Sequence, residues 1–171
     1  MKASILLVFV IIFSMAACVS SSNFETESPN NGEIILDKEI VSQINSSSSS
    51  VSVNGAEYMI GSFAWKDFMP IVDPPVRLTI KNTLIRTDGN NIQSNIEIIQ
   101  HYIVRENEIW RPNEMEVRQD QSSSNQLDII SREGPTWEIG SKVNIGLKIK
   151  DHRTGNIHWL SITEVEVVRT D

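Results

Sequence analysis

Between Val143 and Lys150 the chain reads VNIGLKIK, with apolar residues at every second position. This alternation constrains the fold more than any other feature, because a period of two can bury one face only if the segment is a strand. Asp151-His152-Arg153-Thr154-Gly155-Asn156 then supplies turn residues, and the apolar pattern resumes from Ile157 to Val168, so the pair reads as a hairpin. Its second arm changes parity, from Trp159 to Leu160 and Ile162 and back to Val165 and Val167, which predicts a bulge between Ser161 and Glu164. Earlier segments repeat the pattern. Val76, Leu78, Ile80 and Leu84 share a strand face, bounded by Asp73-Pro74-Pro75 before it and Asp88-Gly89-Asn90-Asn91 after it. Ile96, Ile98, Tyr102 and Val104 are expected to share the next. A charged turn, Arg105 to Glu108, leads into Ile109-Trp110, and further short strands start at Met115 and at Leu127.

Together with Tyr58 to Ala64, these segments amount to about seven to eight strands with a turn roughly every ten residues and no long helix. The expectation is an all-β fold, a single sandwich over residues 51–171. In strand pattern it resembles the immunoglobulin-like or fibronectin-like domains of bacterial surface proteins, although the cysteine pair of antibody domains is absent. A small barrel is the alternative.

The other end of the chain carries an address. Lys2 precedes an apolar run from Ile5 to Phe13, too short to span a bilayer, followed by Ser14-Met15-Ala16-Ala17-Cys18. This is the layout of an export signal peptide, and Met15-Ala16-Ala17-Cys18 resembles the lipobox of bacterial lipoproteins, with methionine where that family prefers leucine. The resemblance implies cleavage after residue 17 and lipidation of Cys18. Ordinary signal cleavage near Ala16 or Ala17 is the alternative. Cys18 is the only cysteine in the chain, so no intramolecular disulfide can form and lipidation gives the lone thiol a use. In the family an aspartate after the cysteine favours the inner membrane; Val19 implies the outer membrane of the cell envelope. The membrane would be a partner through acyl chains on Cys18, each buried methylene contributing about 0.8 kcal/mol.

Residues 18–50 read as a polar tether. VSSSNFETESPNNG, residues 19–32, has no apolar period and spans at most about 50 Å when extended. In residues 33–44, EIILDKEIVSQI, Ile34, Ile35, Ile40, Val41 and Ile44 allow a helical stripe, while Glu33 to Leu36 alone reads as a first strand, and the short strand is preferred; the serine run Ser46 to Ser50 then reads as a flexible break.

The chemistry expected of the domain is binding. The formal charge is −7, with no clustered Lys and Arg, which argues against nucleic acid as a partner. His101, His152 and His158 lie on different predicted elements and read as solvated turn and edge residues, so neither a metal site nor a catalytic site is expected. No nucleophile motif or phosphate loop occurs, no cofactor is expected, and the chain reads as non-enzymatic. Of the four tryptophans, Trp110, Trp137 and Trp159 are expected mainly in the core. Trp65 differs: Phe63, Trp65, Phe68 and Met69 flank a charge pair and Pro70, which predicts a displayed loop and a binding surface. The functional expectation is a lipid-anchored module that binds or helps assemble another envelope protein. The alternative is a small-ligand or carbohydrate-binding lipoprotein that stacks its ligand on Trp65, Phe68 and Trp110.

Overall fold

A computed structural model describes residues 28–69, 75–119 and 123–171. The signal segment and Cys18 lie outside the described residues. The chain is mostly β, as expected, with one short helix. Its elements are β1 (Glu33–Ile35), α1 (Lys38–Ser46), β2 (Ser50–Val53), β3 (Ala56–Asp67), β4 (Leu78–Arg86), β5 (Ile96–Arg105), β6 (Glu108–Arg111), β7 (Glu116–Gln119), β8 (Gln126–Ser131), β9 (Lys142–Asp151) and β10 (Ile157–Thr170).

These strands form one hydrogen-bonded sheet in the order β1-β6-β5-β9-β10-β3-β4-β8-β7, with β2 paired to the first half of β3. The described strands therefore outnumber the seven or eight expected, and the ladder is continuous. Continuity depends on β10. Up to Glu166 it pairs antiparallel with β9; from Val167 to Thr170 it pairs parallel with Ala64 to Asp67 of β3. Its register breaks between Ile162 and Val165, where Glu164 takes a left-handed φ of 60° and its N–H donates to Asn144 Oδ1 at 3.0 Å. This is the bulge that the parity change predicted. An extra residue on one strand bends it and sharpens its twist, and β10 uses that bend to leave one half of the sheet and join the other. The sheet curls so that Tyr58, Ile80, Leu84 and Ile129 pack into one core with Ile103, Ile145, Leu147 and Leu160.

A second bulge was not anticipated. The β5–β9 register shifts between Ile98 and Gln100, so Ile96 and Ile98 lie opposite Asp151 and Ile149, but His101 and Ile103 lie opposite Leu147 and Ile145. The inward set is thus Ile96, Ile98, His101 and Ile103. Tyr102 and Val104, expected beside Ile96, face outward and form a smaller cluster with Ile44 and Ile109 under α1.

Residues 33–50 also depart from the tether reading. β1 pairs with β6 over Glu33–Ile35, and α1 begins where Asp37 accepts N–H donors from Glu39 and Ile40 at 2.9 and 3.1 Å, a cap worth about 1 kcal/mol. Ile40, Val41 and Ile44 then face the sheet, so the segment holds the preferred short strand at its start and, after it, a helix that carries the rest of the apolar stripe. Gly146 of β9 makes room for this contact: a Cβ there would stand 2.5 Å from the Ile44 side chain. The serine run is not a free break either. Ser46 ends the helix, the carbonyls of Ser47 and Ser48 accept from Ser161 Oγ and N–H at 2.9 Å, and that of Ser49 accepts from Ile60 N–H at 2.9 Å. Among the described residues, structure begins well before Val51.

Candidate functional site

The exposed aromatic residues predicted from sequence occupy two distinct places. Phe63 and Trp65 are strand residues, not loop residues. β3 alternates strictly here, with Ala64 and Lys66 buried and Phe63 and Trp65 on the outer face. Phe63 is 48% exposed, and its ring stacks on that of Trp65 at a centroid distance of 5.3 Å and 28° between planes. Met59, 39% exposed, continues the ridge, while Gly61 between them adds no side chain. β4 borders the ridge with Lys81 opposite Phe63 and Thr79 opposite Trp65. Lys81 Nζ reaches Asp128 at 2.8 Å, and the same carboxylate accepts from Thr83 Oγ1 at 2.9 Å. The outer face of β3–β4 is therefore a stacked apolar ridge beside a satisfied polar border, held on paired strands.

Phe68 and Met69 follow the end of β3 and lie at the pole of the sheet. Phe68 N–H donates to the Thr170 carbonyl at 2.8 Å, and Met69 N–H to Asp67 Oδ1 at 3.1 Å, so both are positioned by backbone bonds. The Arg169 guanidinium lies 4.5 Å from the Phe68 ring centroid, and Met69 is 55% exposed. The N-terminal segment enters at the same pole: the Ser28 carbonyl accepts from Arg77 at 2.6 Å, and Asn30 donates to Glu133 at 3.0 Å. An open cavity of about 410 Å³ separates this entry from the end of β3, with Asn30 and Glu133 on one wall and Asp67 and Thr79 on another. Beneath the ridge Lys66 points inward, its Nζ 3.5 Å from the Thr136 carbonyl; burial pushes its pKa below the ordinary lysine value, against the opposing pull of Glu138.

The histidines do not converge. His152 pairs with Glu97 at 2.6 Å on the surface, and His158 lies on β10. His101, expected to be solvated, is fully buried because the β5 bulge turns it inward. It joins the two halves of the curl: Asn82 Nδ2 of β4 donates to His101 Nε2 at 2.7 Å, the Nδ1–H donates to Ser131 Oγ of β8 at 3.1 Å, and Ser62 donates to the Asn82 carbonyl oxygen. The tautomer follows from the amide, whose donor requires an acceptor at Nε2. Burial lowers the His101 pKa to about 3, so the ring is neutral. A Ser-His-Asn cluster invites a catalytic reading, but His101, Asn82 and Ser131 have no exposed surface through which a substrate could approach. Asp151 is likewise structural. Burial raises its pKa, yet donors from Arg153 N–H, Asn54, Thr154 and Asn95 outweigh burial and hold the carboxyl below the usual range. Among the described residues no group of three or more His, Cys, Asp and Glu gathers as a metal site would require.

Trp110 is fully buried, its Nε1 donating to the Asn31 carbonyl at 2.7 Å, so it cannot serve as a stacking platform. Trp159, expected in the main core, lies on the outer face of β10, stacked on Tyr102 at 5.4 Å beneath Lys148, and borders an open groove with His158 and Ile157. The signal was present in sequence: the parity that buries Leu160 and Ile162 must turn Trp159 outward. No family model, curated protein or solved structure matches the chain.

Proposed function

We propose that this chain is an exported lipoprotein, anchored to the outer membrane through Cys18, whose non-enzymatic, sandwich-like β domain docks another protein of the cell envelope through the Phe63–Trp65 face. The observation that supports docking is the stacked aromatic pair, Phe63 exposed and Trp65 partly so, on a strand whose opposite face buries Tyr58, Ile60 and Ala64 in the core. Aromatic residues held rigidly on a surface supply contact area at little ordering cost, and hot spots in interfaces are rich in them. The satisfied Lys81–Asp128–Thr83 border would form the polar rim of such a contact.

Two measurements test the reading. A Cys18→Ser chain is expected to leave the membrane fraction without detergent; retention after processing would refute lipidation. A photo-crosslinker at position 63 in intact envelopes is expected to give one dominant protein adduct that disappears in Trp65→Ala. A spread of unrelated adducts, unchanged by Trp65→Ala, would show that the face is not a docking site.

A further inference from the structure

We propose that the pole carrying Phe68 and Met69 is a lipid-contacting surface, which sits in the headgroup region of the bilayer that holds the chain. The inference rests on the lipid-anchor reading above and adds an orientation to it. Ser28 and Asn30, where the N-terminal segment joins the domain, share the cavity-bearing pole with Asp67 at the end of β3. From Cys18 to Ser28 about ten residues reach at most roughly 36 Å. An anchor at Cys18 thus holds this pole, and not the hairpin turn at the other end of β10, close to the membrane.

The chemistry of the pole suits that position. Where a strand end would ordinarily turn on polar residues, the exposed Met69 and the partly exposed Phe68 stand apolar, each fixed by its backbone N–H. Arg169 stacks over Phe68, an arrangement in which the ring can sit at the level of the acyl boundary while the guanidinium reaches the phosphates. Charge does not drive the contact, because Arg77 and Arg169 are offset by Asp67, Glu133 and Asp171 at the same end. Two apolar side chains are too few to bind a membrane unaided. They suffice to orient a domain that a tether already keeps at high local concentration. In this orientation the Phe63–Trp65 face stands beside the bilayer, open to a partner in the same membrane.

The lipidated full chain is to be reconstituted in zwitterionic phosphatidylcholine–phosphatidylethanolamine vesicles, with a fluorophore at Met69→Cys or, on the far hairpin turn, at Arg153→Cys. Lipidation of the only native cysteine leaves each introduced thiol unique. Headgroup-level nitroxide lipids are expected to quench the label at position 69 several-fold more than that at 153, with little effect of salt, and Phe68→Ser is expected to reduce the difference. Equal quenching at both positions in a chain that floats with the vesicles overturns the pole contact alone. A chain that does not float overturns the anchor reading and the proposal with it. Protection of position 69 from the quencher in native envelopes, but not in pure vesicles, overturns it in favour of a protein on the same pole.

Discussion

The pairs β5–β9 and β3–β4 both present one face to the same interior, and they differ in what lies on the other. Outside β5–β9, Tyr102, Val104 and Gly146 are covered by α1 through Ile44. Outside β3–β4 the described residues leave Phe63 and Trp65 standing as a stacked pair. A sheet face sealed by a helix contributes stability, whereas a bare aromatic face on equally well-paired strands contributes little to folding and is available for binding. The interior face they share is also mixed, since it buries Leu147 and Ile80 beside the His101–Asn82–Ser131 bridge.

The sharpest way to break this comparison is at the shared interior. Leu147→Ala is expected to cost about 2–5 kcal/mol in denaturant unfolding, the range for a fully buried leucine; a loss under about 1 kcal/mol would mean that the inward face of β9 is misassigned.

Acid should open the same interior through His101. Its folded pKa of about 3 lies below the value of about 6.5 in an unfolded chain, so the unfolded state takes up the proton first as pH falls. The stability contributed by neutral His101 is therefore complete above about pH 6.5 and declines toward pH 3, by at most about 1.4 kcal/mol per pH unit. Unfolding curves between pH 7 and 4 check this against His101→Gln, which should lack that slope; an identical pH dependence would remove the histidine from the account.

On the sealed outer face, Gly146→Ala places a methyl where Ile44 already stands. The expected cost is about 1–3 kcal/mol, and Gly146→Ala combined with Ile44→Val should recover part of it if helix contact is the cause. The bare outer face should respond least. Trp65→Ala is expected to change stability by less than about 1 kcal/mol while weakening partner capture by about 2 kcal/mol or more. Global unfolding in that variant would make Trp65 a core residue and erase the contrast between the two faces.

The two bulges show how far the sequence could be read. The one in β10 was legible because Thr163, Glu164 and Glu166 around it are polar and exposed, so Leu160 and Ile162 followed by Val165 and Val167 record the slip as a change of parity. The one in β5 left no trace. With Ile98, Ile99, Tyr102, Ile103 and Val104 apolar on both faces, a strand enclosed by the core on one side and α1 on the other has no polar phase to mark a one-residue shift. His101 was misplaced for the same reason, and the polar bridge with it. In residues 33–50 the short strand at Glu33 was legible, but the helix and the ordered serine run after it were not, because their few apolar residues look insufficient alone; β6 and the outer face of β9 supply the surface the segment packs on.

What the sequence determined by itself was local: strand-forming alternation, turn residues, the short strand at Glu33, and an apolar excess at Phe63, Trp65, Phe68 and Met69. Only the tertiary structure decided which faces were covered and which stayed bare, and that the last two of those residues stand at the pole where the N-terminal segment enters. Alternation specifies that a strand has two faces, but burial of either is settled by partners distant in the chain, such as Ile44 against Gly146 or Val167 beside Ala64.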